Sequence, residues 1–288
     1  MASFDRRLPL PWLDRQGRLS PLKLGTLLLL PLPALWLGWQ AAHGQLGARP
    51  ITEAIHGTGL WAVRILLLSL LVTPLRQMLR WPRLLLVRRM VGLGALAYAA
   101  LHLLLYALDQ GWNMPKVASE IVLRFYLTIG FVALLGLAAL GVTSTDGWVR
   151  RLGGPRWQRL HRAAYGIAAL AILHFAIQSK IDVTEAVLMA GLFMWLMGYR
   201  LVAPKGSAPS PGWLLALAAG AMAGTALLEA GWYAATTGVP PGAVLAENLD
   251  IGFGLRPALW VGLSGLAMLV ARSARLGLER WAPPRAAH

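Results

Sequence analysis

The sequence predicts an all-α integral membrane protein, a helical bundle of eight spans. Three observations carry that prediction. Of 288 residues, 57% are hydrophobic and only 14% charged, whereas an ordinary soluble domain carries about a quarter charged residues. The apolar residues gather into eight segments, each close to the about 20 residues a helix needs to cross hydrocarbon. The 27 lysines and arginines fall in bands between those segments, so the formal charge of +15 belongs to membrane topology and no nucleic-acid partner is expected. Lipid offers backbone amides no partner, and an uninterrupted helix satisfies its own.

The first apolar run covers 23–42 and follows a segment, 1–22, expected to be cytoplasmic. Pro9, Pro11 and Asp14 interrupt any secretory leader there, so this run is expected to remain as an anchor. Further runs cover 54–73, 90–108, 122–142, 162–178 and 185–202. The fifth is short, and its ends, His161-Arg162 and Gln178-Ser179-Lys180, are expected to reach the headgroups on both sides. A Pro/Gly/Ser-rich stretch at 203–212 reads as a linker. It divides a six-span unit, 23–202, from two plainer spans within 213–271, for which packing or stabilisation is the expected role, followed by a tail at 272–288. Gly252-Phe253-Gly254 has neither the third glycine nor the strand that a dinucleotide loop requires.

An even number of spans puts both termini on one side, and the bases say which. Twenty-one lysines and arginines lie on the terminal side and five on the other: Arg49, Lys116, Arg124, Lys180 and Arg256. Both termini are therefore expected to be cytoplasmic. Arg64 stands inside a span and needs a counter-charge, for which a cofactor carboxylate or a water-filled crevice is a candidate. Arg124, at the outer start of the fourth span, is a second candidate for such a carboxylate, or a headgroup anchor.

Cysteine is absent. That excludes disulfides, iron–sulfur clusters, thiolate zinc sites, covalent haem attachment and cysteine nucleophiles, and leaves histidine as the chemical signal. Of six histidines, His102 and His174 are placed deep: one lies 14 residues beyond Arg88, the other 13 beyond His161. At 1.5 Å per residue both sit about 20 Å from the inner boundary. Two imidazoles at one depth on two helices suit the two axial positions of one haem iron, and two buried histidines bonded to neighbouring helices are the plainer alternative. Tyr98 and Tyr106 flank His102 at minus four and plus four, on one helical face, where a hydroxyl can support a ligand or touch a propionate. His161 is a third candidate ligand, for a second, inner haem. It stands about 220° around an ideal helix from His174, so serving an inner haem needs an irregular helix or a frayed start; headgroup or quinone contact is the other reading. His43 and His56 read as interfacial residues at the outer ends of the first two spans, with partner docking or an electron exit as the sharper reading.

The ordered series His43-Gly44-Gln45-Leu46-Gly47, Ile55-His56-Gly57-Thr58-Gly59, Thr73-Pro74-Leu75, Arg88-Arg89-Met90-Val91-Gly92, Tyr98 to His102, Tyr126-Leu127-Thr128, Thr143-Ser144-Thr145 and Leu160-His161 to His174 resembles the MsrQ family, within the ferric-reductase-like transmembrane superfamily. The resemblance covers roughly residues 23–202. It implies a six-span haem-binding core, with His102, His161 and His174 as the iron ligands, and heme b in one or two copies. It also implies flavin mononucleotide (FMN), for which these residues supply no separate motif. The implied partners are a quinol or a cytosolic flavin reductase as donor, and a periplasmic molybdopterin methionine sulfoxide reductase as acceptor, with the chain itself holding no catalytic centre. Two other functions fit the composition: a stand-alone ferric or metal reductase, and a cofactor-free transporter in which His102, Arg64 and Glu229 form a polar relay.

Overall fold

The computed structural model describes residues 10–14, 16–204, 206–252 and 254–281, the last three without side chains. Among the bases that set the orientation, Arg6, Arg7, Arg15, Lys205 and Arg285 lie outside these residues, as do Pro9 and His288. Helices make up the fold: α1 (Pro21–Leu29), α2 (Leu32–Ala42), α3 (Pro50–Met78), α4 (Leu85–Asp109), α5 (Met114–Leu123), α6 (Phe125–Val142), α7 (Asp146–Leu152), α8 (Gly154–His161), α9 (Ala163–Gln178), α10 (Thr184–Val202), α11 (Pro211–Thr237), α12 (Pro241–Glu247) and α13 (Pro257–Trp281). Eight stretches are long and apolar enough to cross a membrane, and each overlaps one of the eight apolar runs. The chain is an all-α, multi-span membrane protein. The end that carries the chain termini is called inner below.

Burial ranks the spans. More than half of the most apolar window of α3 is buried (56%), while the first span has none of its window covered (0%). Helix α3 is therefore the axis of the bundle. Ile65, Leu66 and Leu70 are almost sealed from the surroundings and anchor the core that α4, α9 and α10 complete. The first span, at the periphery, rests on α3 and α4.

The helical path breaks at three places in or beside the spans, and the first break has a local cause. Pro31 and Pro33 split the first span into α1 and α2, because a proline removes an amide donor and collides with the preceding turn. At that break Ala34 N–H donates to the Tyr98 hydroxyl at 2.9 Å, which itself donates to Leu30 C=O at 2.8 Å. The phenol is thus inserted into the ladder bond that residues 34 and 30 would otherwise share. Arg124, extended at φ −104° and ψ 105°, separates α5 from α6. Arg162 separates α8 from α9, which makes the fifth span irregular between His161 and His174.

Helix α3 continues through Pro74, which leaves the carbonyl of Leu70 without its helical donor. Arg200 of α10 supplies one, donating from Nη2 to Leu70 C=O at 2.7 Å. The repair also fastens the sixth span to the second.

The last two long helices, α11 and α13, pack on each other and on α10, and α13 reaches α3. Gly191 of α10 permits this approach, because a Cβ there would overlap Thr225 of α11 and Val261 of α13. Their one mid-span acid is not idle: Glu229, fully buried, accepts from Arg256 at 2.6 Å and from Asn248 Nδ2 at 2.9 Å. This pairing ties α11, the turn after α12 and the start of α13 together at the outer end.

Replacing Tyr98 with Phe removes the hydroxyl and strands Ala34 N–H and Leu30 C=O inside an apolar interface. An unsatisfied buried group costs about 1–3 kcal/mol. A lowered thermal midpoint in detergent is the expected result, with an unchanged midpoint counting against the inserted hydroxyl.

Candidate functional site

A cavity of about 510 Å³ lies in the outer half of the bundle, bounded by α3, α4, α6 and α9. Its walls are mostly apolar, with Leu60, Val63, Leu103, Phe131, Leu134 and Leu137 among them. A volume of this order suits a small organic cofactor. Into it project His102 from α4 and His174 from α9.

The two imidazoles are held by the same device on opposite walls. His102 Nδ1 lies 2.8 Å from the carbonyl of Ile55 on α3, and His174 Nδ1 lies 2.7 Å from the carbonyl of Tyr126 on α6. A carbonyl only accepts, so each Nδ1 carries the proton and each Nε2 keeps its lone pair. Four residues beyond each carbonyl stands a glycine, Gly59 and Gly130, one helical turn along on the same face. A Cβ at Gly59 would sit 2.9 Å from His102 Nδ1, and one at Gly130 would sit 2.8 Å from His174 Nδ1. Only hydrogen leaves room for the ring to lie against the helix and reach the carbonyl behind it.

The ring centroids are 6.3 Å apart with planes inclined at 80°. Two metal–imidazole bonds of about 2 Å each, extended by the radius of each ring, put the centroids roughly 6 Å apart. The separation fits one metal ion bonded from both sides. Among the described residues no group of three or more His, Asp or Glu side chains could hold a metal ion, so the two imidazoles stand as a pair.

Polar residues cluster at the outer mouth. Tyr106, Asp109, Arg124, Gln178 and Asp182 all line it, with His56 and Thr52. Arg124 pairs with Glu120 and donates to the Tyr126 hydroxyl at 3.2 Å. Asp182 is bonded by the hydroxyl and backbone N–H of Thr184, which hold its carboxyl below the usual carboxylate range. It stays anionic at neutral pH, with Arg256 the base within its electrostatic reach.

Four of the seven residues proposed from sequence meet here: His102, His174, Tyr106 and Arg124. Three do not. Tyr98 shares the stripe of His102, but one turn further in that stripe meets the first span instead of the cavity, and its hydroxyl is spent on the break there. Arg64 turns away from the cavity, pairing with Glu185 of α10 at 2.8 Å and lying over the Trp61 ring at 5.2 Å. The counter-charge its span position demands is supplied here by an acid of the same chain. His161 belongs to the other end of the bundle. Its ring stacks on Trp157 at 3.9 Å, its Nε2 lies 3.3 Å from Thr143 Oγ1, and Trp157 Nε1 donates to Thr143 C=O at 2.8 Å.

Gly59, Gly130 and the carbonyls of Ile55 and Tyr126 were not assigned from sequence. Their trace is a glycine within an apolar span, four residues after the bonding carbonyl, which becomes readable only once its partner helix is known.

Residues 58–173 match the family described as ferric reductase like transmembrane component. That stretch includes Gly59, His102, Tyr126, Gly130 and His161, and stops one residue short of His174. The chain is 43% identical over 190 residues to the protein-methionine-sulfoxide reductase heme-binding subunit MsrQ of Rhodospirillum rubrum, a match covering 66% of this chain and 89% of that protein. The chain belongs to the MsrQ family. The MsrQ proteins of Xanthomonas axonopodis pv. citri and Azospira oryzae are 45% and 40% identical over 167 and 187 residues, covering 58% and 64% of this chain and 76% and 80% of theirs. No solved structure matches.

Gly130→Ala places a methyl group against the His174 ring. The expected outcome is displacement of the ring from the Tyr126 carbonyl and a loss of cofactor affinity of about 10- to 100-fold, the usual effect of disturbing a ligand's supporting bond. Cofactor retained per chain after purification measures it, and Gly136→Ala, a second α6 glycine outside the cavity lining, is the control for helix packing.

Proposed function

We propose that this chain is the haem b electron-transfer subunit of a periplasmic methionine sulfoxide reductase system, with His102 and His174 as the axial ligands of a haem in the outer cavity. The observation that carries the reading is the facing pair of imidazoles, each pinned at Nδ1 by a backbone carbonyl. Pinning fixes tautomer and ring plane before any metal arrives, and the carbonyl raises the basicity of Nε2. The cavity fits the macrocycle in character: apolar walls, glycine clearance on two sides, and a polar mouth where Arg124 and Tyr106 can meet propionates. When bound, the iron supplies one-electron redox chemistry. The protein residues hold it, exclude water and set its potential.

The chain sits in the bacterial inner membrane with both termini cytoplasmic, an orientation supported by the 21 to five division of bases. Electrons enter from quinol, or from a cytosolic flavin reductase, on the inner side. They leave near the outer mouth to a molybdopterin-containing catalytic subunit in the periplasm. Reduction of methionine sulfoxide takes two electrons and haem passes one at a time, so the partner stores them. His161 belongs to the inner end of this route, as ligand of a second haem or as a quinol contact. FMN enters by resemblance alone. The six-span core, 23–202, is the electron carrier, and the spans within 213–271 brace it. A transporter relay through His102, Arg64 and Glu229 finds no support, since the three are bonded to Ile55, Glu185 and Arg256 in separate places.

The purified protein, expressed with ample haem, is expected to have a Soret band and a reducible alpha band. His102→Ala and His174→Ala should each lose the outer haem while remaining monodisperse, whereas His161→Ala should keep it. Wild-type haem content in both of the first two variants would sink the ligand pairing, and haem per chain in the third decides whether His161 holds a second haem. Reoxidation of the reduced protein by the periplasmic reductase of the same genome tests the acceptor.

A further inference from the structure

At the inner end, four spans bring arginines together. Arg76 stands in the last turn of α3, Arg88 in the first turns of α4, Arg200 in the last turn of α10, and Arg272 on α13. Helix α3 packs on the other three, which draws these ends into one place. Tyr199 lies within electrostatic reach of Arg76, Arg200 and Arg272, and Arg88 within reach of Arg76, Arg200 and Tyr165. All four arginines are partly buried, whereas Arg83 and Arg89 nearby are exposed.

Nothing described among them carries the opposite charge. Ion pairs among the described residues include Arg64 with Glu185, Arg89 with Asp146, Arg124 with Glu120 and Arg256 with Glu229, and none of these involves the four arginines. Arg200 donates to the carbonyls of Leu196 and Leu70 and lies over the Tyr165 ring, contacts that use its donors and leave its charge uncompensated. Tyr199 gives its hydroxyl to Gln77. The Nε atoms of Arg76 and Arg272 are buried with no hydrogen-bond partner. Buried guanidinium donors are rarely left so.

Four converging cations, two of them with an unfilled buried donor, define what is missing: a compact anion with several acceptor oxygens, which planar guanidinium groups grip in forks. We propose that Arg76, Arg88, Arg200 and Arg272 form a phosphate-binding site that holds the headgroup phosphate of an anionic inner-leaflet phospholipid. The position fits that source, because basic pockets between spans on the cytoplasmic side are where such headgroups bind. Trp81, Leu201 and Leu278, on the same inner ends, are exposed and offer apolar surface for acyl chains. Three of the arginines come from α3, α4 and α10 and the fourth from α13, so an occupied site clamps the C-terminal pair of helices onto the rest of the bundle.

The test uses the full chain, delipidated in neutral detergent and titrated separately with phosphatidylglycerol, phosphatidylcholine and inorganic phosphate. Retained lipid is read by native mass spectrometry and stability by thermal midpoint. Wild type is expected to keep phosphatidylglycerol adducts and gain stability from that lipid but not from phosphatidylcholine. Stabilisation by inorganic phosphate as well supports the same phosphate chemistry with a soluble source. Arg76→Gln with Arg272→Gln should weaken phosphatidylglycerol binding roughly tenfold or more, as expected for loss of two charge-assisted contacts. Arg76→Lys with Arg272→Lys should keep part of it, which guards against a merely misfolded glutamine pair. Arg150→Gln with Arg151→Gln, on the loop helix α7, should leave binding unchanged. The proposal fails if the glutamine pair binds the lipid as wild type does, if the loop pair loses as much, or if neither phosphate source binds at all.

Discussion

Hydrocarbon supplies no partner for a backbone carbonyl or amide, and the architecture of this protein follows from where its helices leave such groups over and what answers them. The prolines at 31 and 33 open the first span, and the phenol of Tyr98 enters the gap. Pro74 strips the donor from Leu70, and Arg200 replaces it from another span. Thr143, closing α6, gives its carbonyl to the indole of Trp157. In each case the answer comes from a different helix, so a local defect becomes a tertiary tether.

The cavity histidines use that same vocabulary for chemistry. Ile55 and Tyr126 offer their carbonyls sideways to imidazoles on neighbouring helices, and a glycine one turn on makes the approach possible. The bond orients the ring and fixes the tautomer, leaving one nitrogen of each for the cavity. Two spans on each wall, α3 with α4 and α6 with α9, therefore make equivalent half-sites. The rim differs from the floor: its charges, Arg124, Asp109 and Asp182, are exposed, while the floor is lined mostly by apolar side chains.

The two C-terminal spans look plain in composition yet are fastened at both ends. At the outer end Glu229 is neutralised by Arg256 and bonded by Asn248. Breaking one partner of such a buried pair leaves an uncompensated charge, which is why it acts as a clip even where the pair itself adds little net stability. Through the middle, Gly191 lets α11 and α13 close on α10. Arg272 brings α13 to the inner cluster of bases.

Much was legible in one dimension. Eight spans, their order, the side that carries the bases and the depth of His102 and His174 are all set by hydropathy, charge and a rise of 1.5 Å per residue, which are properties of single helices in lipid. Partner choice was not. Tyr98 and Tyr106 are equivalent by spacing, and only the neighbour each meets, the broken first span or the cavity, separates them. Arg64 looked like a residue in need of a cofactor because its acid, Glu185, is 121 positions away. Gly59 and Gly130 carry no chemistry of their own, so nothing distinguishes them from other span glycines until an imidazole is found against them. Helix periodicity tells which residues share a face; only the packed bundle decides what that face touches, because contacts between spans depend on crossing geometry that no single helix encodes.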